Sequence, residues 1–235
     1  RETMQPIVDF IGTAQQEKKP FFLWYAPMMP HTPHNPPERL LAKYRDKAPT
    51  LPVAKYWAMC EWFDETCGQL LDQLEKSGVA DNTIVVYVAD NGWLQEPNAD
   101  RYAERSKQSP YEGGLRTPIM IRWPGKVKPQ RSDDFAMSID IAPTLLRAVG
   151  LKPASGMQGV NLLDERARSK RKTIFGERFT HNAVELNRPA SSLRWRWAID
   201  GDWKLILPAA QNEPDGKPEL YRVSADPEEK TDLAA

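Results

Sequence analysis

Two apolar runs of strand length, residues 21–26 (FFLWYA) and 83–89 (TIVVYVA), stand on either side of one long helical stripe. That order restricts the fold more than any other feature, because a helix between two strands is a crossover, and crossovers join parallel strands. The stripe covers residues 53–77. Tyr56, Met59, Cys60, Phe63, Cys67, Leu70, Leu71 and Leu74 recur there at helical spacing, and Gly78 closes it. The first run has no alternation, as expected of a strand covered on both faces, and the second reads as buried too. A helical pattern over 4–16, a strand at 119–123 and a helix at 138–149 complete the series. The chain is therefore predicted to be α/β, with a mostly parallel sheet sandwiched by helices.

From residue 151 the character changes. Residues 165–172 are a charge run read as solvated surface. Apolar runs at 194–199 and 203–207 bracket Asp200-Gly201-Asp202, a β-hairpin signal, and 219–223 offers a third strand. Residues 1–150 thus read as the α/β domain and 151–235 as a small antiparallel β subdomain. Trp195, Trp197 and Trp203 would suit a sugar-stacking surface, but at hairpin spacing they read as core.

The 235 residues carry 32 basic and 32 acidic side chains, so no basic stripe points to nucleic acid. No apolar run approaches the roughly 20 residues of a membrane span. Twenty-one prolines point to braced loops, above all residues 27–37, where proline recurs five times. Cys60 and Cys67 fall two helical turns apart, out of disulfide reach, and read as free thiols. The chain opens at Arg1 inside what reads as a helix, so the native N-terminus is expected upstream.

The chemistry gathers at the carboxyl ends of the strands, where open α/β sheets place their ligand crevice. Asp90-Asn91-Gly92 follows the second apolar run, and a carboxylate beside an amide carbonyl offers hard oxygens to Ca²⁺ or Mg²⁺. His31 lies in Pro30-His31-Thr32-Pro33-His34, after the first run. Lys107, a mobile cation for an anionic substrate, precedes Tyr111-Glu112-Gly113-Gly114. The two glycines there permit a tight return to the sheet, and Arg116 reads as a brace. His34 reads either as lining the pocket or as packed among prolines, and His181 as a surface-loop residue.

This ordered series resembles the type I sulfatases of the alkaline phosphatase-like superfamily. Ala26-Pro27 with His31-Thr32-Pro33, Asp90-Asn91-Gly92, Lys107 before Tyr111-Glu112-Gly113-Gly114 and Trp123-Pro124-Gly125 all carry it. So do the run from Ser138 to Leu146 and Gly201-Asp202-Trp203-Lys204-Leu205-Ile206. The resemblance implies an alkaline phosphatase-like fold and a sulfuric ester hydrolase acting on a sulfated carbohydrate or aryl alcohol. It implies that Asp90 and Asn91 are ligands of a divalent cation, usually Ca²⁺. Lys107 would hold the sulfate and offset charge on the leaving oxygen, and His31 would contact the ester oxygen and help protonate it. His34 would be a further substrate contact. It also implies a periplasmic, secreted or lysosomal setting, and leaves oligomeric state open.

The chain departs from the family at the nucleophile, a formylglycine made within C-x-P-x-R or C-x-A-x-R. Cys60 is followed by Glu61-Trp62-Phe63-Asp64 and Cys67 by Gly68-Gln69-Leu70-Leu71, so neither fits. The family's early paired aspartates are absent as well. The chain therefore reads as the C-terminal portion of a sulfatase, expected to be inactive by itself. Two alternatives stand beside this: a phosphomonoester or phosphonate hydrolase of the same superfamily, disfavoured by only three histidines, and a remnant acting as a binding or structural module.

Overall fold

The computed structural model describes residues 4–234; the expectation that Arg1 sits within a helix falls outside them. Two compact units divide the chain. The first takes in the chain up to Val86 with Gln95–Ala103 and Ile121–Lys128. The second takes in Tyr87–Leu94, Glu104–Met120 and the chain from Pro129 onward.

In the first unit, α1 (Gln5–Gln16) begins with proline in its first turn, where the missing N–H costs nothing. Its buried Ile11 packs with Leu74 and Ala80, and Phe21, Val79 and Val85 close that core. Then α2 (Glu38–Tyr44), which the sequence pattern did not announce, lies against the long α3 (Leu51–Lys76). Leu40 and Leu41 seat on Ala54 and Ala58, whose small side chains let the two backbones approach. Gly78, at φ +67°, ends α3 as expected. The middle of the apolar stripe, Cys60 to Leu71, is only partly buried, and both cysteines are free thiols.

One expectation fails here. Residues 21–26 form no strand but an extended segment whose side chains alternate: Phe22 is 71% and Trp24 81% exposed. An apolar extended segment becomes a strand only when a neighbour takes up its N–H and C=O groups, and composition cannot supply the neighbour. The second run does form a strand, β1 (Val85–Val88), shorter than the predicted 83–89.

After α4 (Glu112–Leu115), a single turn, comes β2 (Ile119–Arg122), which joins β1 in a two-stranded sheet. In the second unit a 3₁₀ turn at Ser138–Asp140 leads into α5 (Ile141–Ala148), followed by α6 (Glu165–Ser169). Asp140, fully buried, holds this region. Its carboxylate accepts from the backbone of Met137 (2.7 Å) and Val160 (2.8 Å) and from both terminal nitrogens of Arg171 (2.6 and 2.7 Å).

The predicted hairpin is present and extended into a four-stranded antiparallel sheet. Its order is β3 (Thr173–Phe179), β4 (Leu193–Asp200), β5 (Trp203–Pro208), β6 (Glu219–Arg222). Gly201, at φ +56°, supplies the left-handed residue of the β4–β5 turn. One face buries Ile174, Ile199, Ile206 and Tyr221; the other exposes Phe175, Trp203, Leu205 and Leu207. Trp197 lies directly over Gly176, where a Cβ would come within 2.2 Å of its ring, so this tryptophan is packed as expected. Trp203, by contrast, is 47% exposed, because it occupies the outward phase of β5.

Candidate functional site

The Asp90-Asn91 turn leaves β1 and is fixed on both sides within the second unit. Ala89 accepts from Thr117 Oγ1 (3.3 Å), and the Gly92 amide donates to the Gly114 carbonyl (2.8 Å). A Cβ at residue 92 would lie 2.2 Å from the Gly113 carbonyl oxygen, so glycine is required for this approach. Asp90 is exposed; Asn91 is half-buried and its amide nitrogen donates to the Gly92 carbonyl (2.9 Å).

The loop carrying Lys107 is stitched to the same turn. Leu94 donates its amide to Oγ of the fully buried Ser106 (2.5 Å), and Ser109 Oγ donates to the Ser106 carbonyl (2.5 Å). Gly114 packs onto that carbonyl so closely that a Cβ would meet it at 2.2 Å. Arg105 and Gln108 flank Lys107 with φ of +56° and +64°, backbone states that non-glycine residues hold only when surrounding contacts impose them. Those contacts exist: the Gln108 carbonyl accepts from Arg178 Nε (2.8 Å), and the Arg105 guanidinium donates to the Glu229 carbonyl while lying 4.4 Å over the Tyr111 ring. Lys107 itself is half-buried.

Asp90, Asn91 and Lys107 are thus brought together in one unit, whereas His31 and His34 belong to the first. His31 is exposed on the proline loop, its Nδ1 2.7 Å from the Thr32 carbonyl oxygen, which fits the tautomer protonated there. His34 is buried, its ring 5.5 Å from that of Tyr56, and desolvation pushes its pKa below the usual imidazole value against the opposing pull of Asp100.

Asp90 and Asn91 fit a hard divalent cation in donor chemistry, as oxygen ligands at one turn. Among the described residues no group of three or more histidine, cysteine, aspartate and glutamate side chains could hold a metal. Ca²⁺ takes about six to eight oxygens.

Sequence reasoning missed a buried ionic cluster beneath the lysine loop. Lys204 Nζ, with no exposed surface, lies 2.9 Å from Glu112 Oε1 and 2.8 Å from Glu229 Oε1. Glu229 Oε2 also accepts from the Glu112 amide (2.6 Å). Beside it, Tyr111 donates to Glu219 (2.8 Å), as does Tyr221. Burial first, and then that bond, push the Tyr111 phenol up to about 12 and Tyr221 further in the same direction. A signal for Lys204 was present: in a strand of period two it shares the phase of Ile206, the inward one.

Residues 1–151 match the family model described as Sulfatase, and residues 103–235 match the one described as N-sulphoglucosamine sulphohydrolase, C-terminal. A sulfatase of Formosa agariphila is 29% identical across 97% of this chain and 44% of its own length. An N-acetylgalactosamine-6-O-sulfatase of Bacteroides thetaiotaomicron is 27% identical, covering 93% of this chain and 44% of that protein. The chain therefore spans less than half the length of these two relatives. A solved structure from Bacteroides thetaiotaomicron, described under the metabolism of multiple glycosaminoglycans, superposes with a TM-score of 0.79 at 22% identity. It covers 97% of this chain and 53% of that one, and the likeness shows the alkaline phosphatase-like α/β fold.

Proposed function

Because the chain belongs to the sulfatase family, we propose that it carries the cation-holding and sulfate-holding portion of a sulfuric ester hydrolase. The observation that supports this most is the double lock of the Asp90-Asn91 turn onto the Lys107 loop, through Gly92 to Gly114 and Leu94 to Ser106. A sulfate ester is a compact anion whose cleavage drives charge onto its bridging and terminal oxygens, so fixed positive charge supplies most of the stabilisation. Lys107 holds the sulfate and offsets charge on the leaving oxygen. His31 contacts the ester oxygen and donates a proton to the departing alkoxide. His34, which follows on the same loop, is packed against Tyr56 instead of facing a substrate. Asp90 and Asn91 hold Ca²⁺ or Mg²⁺, which when bound would act as a Lewis acid toward the sulfate oxygens.

The nucleophile expected in this family, formylglycine, has no motif in these residues. Residues 1–150 read as catalytic-domain sequence and 151–235 as a C-terminal subdomain; the end of the first family model at residue 151 supports this, while the second begins earlier, at residue 103. The substrate class is a sulfated glycan, supported by the N-acetylgalactosamine-6-O-sulfatase relative. A setting outside the cytoplasm follows from the family resemblance, and no helix among the described residues is long and apolar enough to cross a membrane.

Calorimetry of the 235-residue chain with CaCl₂ and inorganic sulfate tests the reading. Weak calcium binding, roughly millimolar as suits a partial shell, should be lost in Asp90→Ala, and sulfate binding should be lost in Lys107→Met. Flat heats for both ions would support a structural remnant instead. Turnover of an aryl sulfate by this chain should be indistinguishable from buffer; measurable hydrolysis would show that the nucleophile has been misjudged.

A further inference from the structure

Glu229 is an anomaly of its segment. Its neighbours Ser224, Ala225, Pro227, Glu228 and Lys230 are exposed, yet Glu229 is 1% exposed with a left-handed backbone, φ +55°. A carboxylate does not leave water without compensation, and Lys204 supplies it. Filling this volume would not by itself require charge, since apolar replacements of buried ion pairs are often as stable. What apolar side chains could not do is hold particular backbone groups in place.

Glu229 does this at two points of one loop. Its side chain accepts from the amide of Glu112, the first residue of the turn after Lys107, and its carbonyl accepts from Arg105, two residues before Lys107. The segment is anchored on its other side to β6, through Leu233 to Leu220 (2.8 Å) and Leu220 to Asp232 (3.0 Å). We propose that Glu229, backed by Lys204, is a positioning residue that grips both ends of the Lys107 loop and sets where its ammonium is presented to a sulfate group. The assignment of the anion to Lys107 rests on the function proposed above; the grip itself does not.

Native-state amide exchange and the Lys107 side-chain NMR signal, measured on the full 235-residue chain, separate the two. In Glu229→Gln, which keeps an acceptor but removes the charge, amides of residues 105–114 should exchange about tenfold faster while those of β4 and β5 stay unchanged. Glu229→Ala should accelerate them further. Inorganic sulfate should shift the Lys107 signal in the wild type and bind about tenfold more weakly in Glu229→Gln. Should the Glu229 variants fail to fold, Arg105→Met cuts one of the two attachments from an exposed side chain and should give the same loop-confined effect. Unchanged loop exchange, or equal acceleration in the sheet, overturns the grip. A wild-type chain whose Lys107 ignores sulfate overturns the anion reading, and with it the purpose assigned to Glu229.

Discussion

Glycine positions separate what the backbone requires from what it tolerates. Gly114 faces the Ser106 carbonyl oxygen at a distance its own Cβ would violate, and that oxygen belongs to a loop tied at Leu94 and Ser109. Gly114→Ala should cost about 2–3 kcal/mol, read as a lower urea midpoint. Gly68, within α3, has nothing within 4 Å, so Gly68→Ala should stabilise by about 1 kcal/mol in the same measurement. His34 gives a pH dependence with a fixed sign. Its folded pKa lies below 6.5, so the unfolded chain binds the extra proton first. Stability should be full above pH 6.5 and fall as pH drops below it, and His34→Phe should flatten that slope in denaturant titrations. At this scale the sequence marked Asp90, Asn91 and Lys107 as candidates through the ordered series of motifs around them, since Asp-Asn-Gly alone reads as a turn. It gave no sign of Glu229, which lies among exposed neighbours in the chain.

At the scale of elements, the entry to α5 depends on Asp140. Four donors converge on one buried carboxylate, and Arg171 contributes two of them. Removing either member leaves an uncompensated charge, so Asp140→Ala should lose about 3–5 kcal/mol in urea unfolding. Replacing both, Asp140→Ala with Arg171→Met, should cost less than the sum of the single changes. α1, α3, α5 and the β4–β5 hairpin were legible because periodicity and turn chemistry are local, whereas the short α2 and α6 carry too few turns to show a period. Residues 21–26 were not, since a strand is a property of a pair. The four-residue β1 and the unannounced β3, with Gly176 and three charged or polar positions among its apolar ones, show the same limit.

For the whole molecule, exposed aromatics decide behaviour in solution. Phe22, Trp24 and Met28 stand 71%, 81% and 77% exposed along one segment that joins no strand among the described residues. Such segments drive association through both apolar contact and strand addition. Sedimentation velocity should show concentration-dependent assembly, and Phe22→Ser with Trp24→Ser should shift the chain toward monomer; a monomeric wild type would refute this. The family and its fold were recoverable from ordered motifs spread over most of the chain, whereas packing partners depend on surfaces that no motif records. The Leu94–Ser106 bond has one more consequence. It closes the intervening segment at its base, where closure entropy grows slowly with length, while Thr50 to Pro97 and Lys55 to Asp100 (3.0 Å) hold the middle of that segment. Lys107, outside that closure, is therefore insulated from changes made at the outer positions of the segment between Leu94 and Ser106.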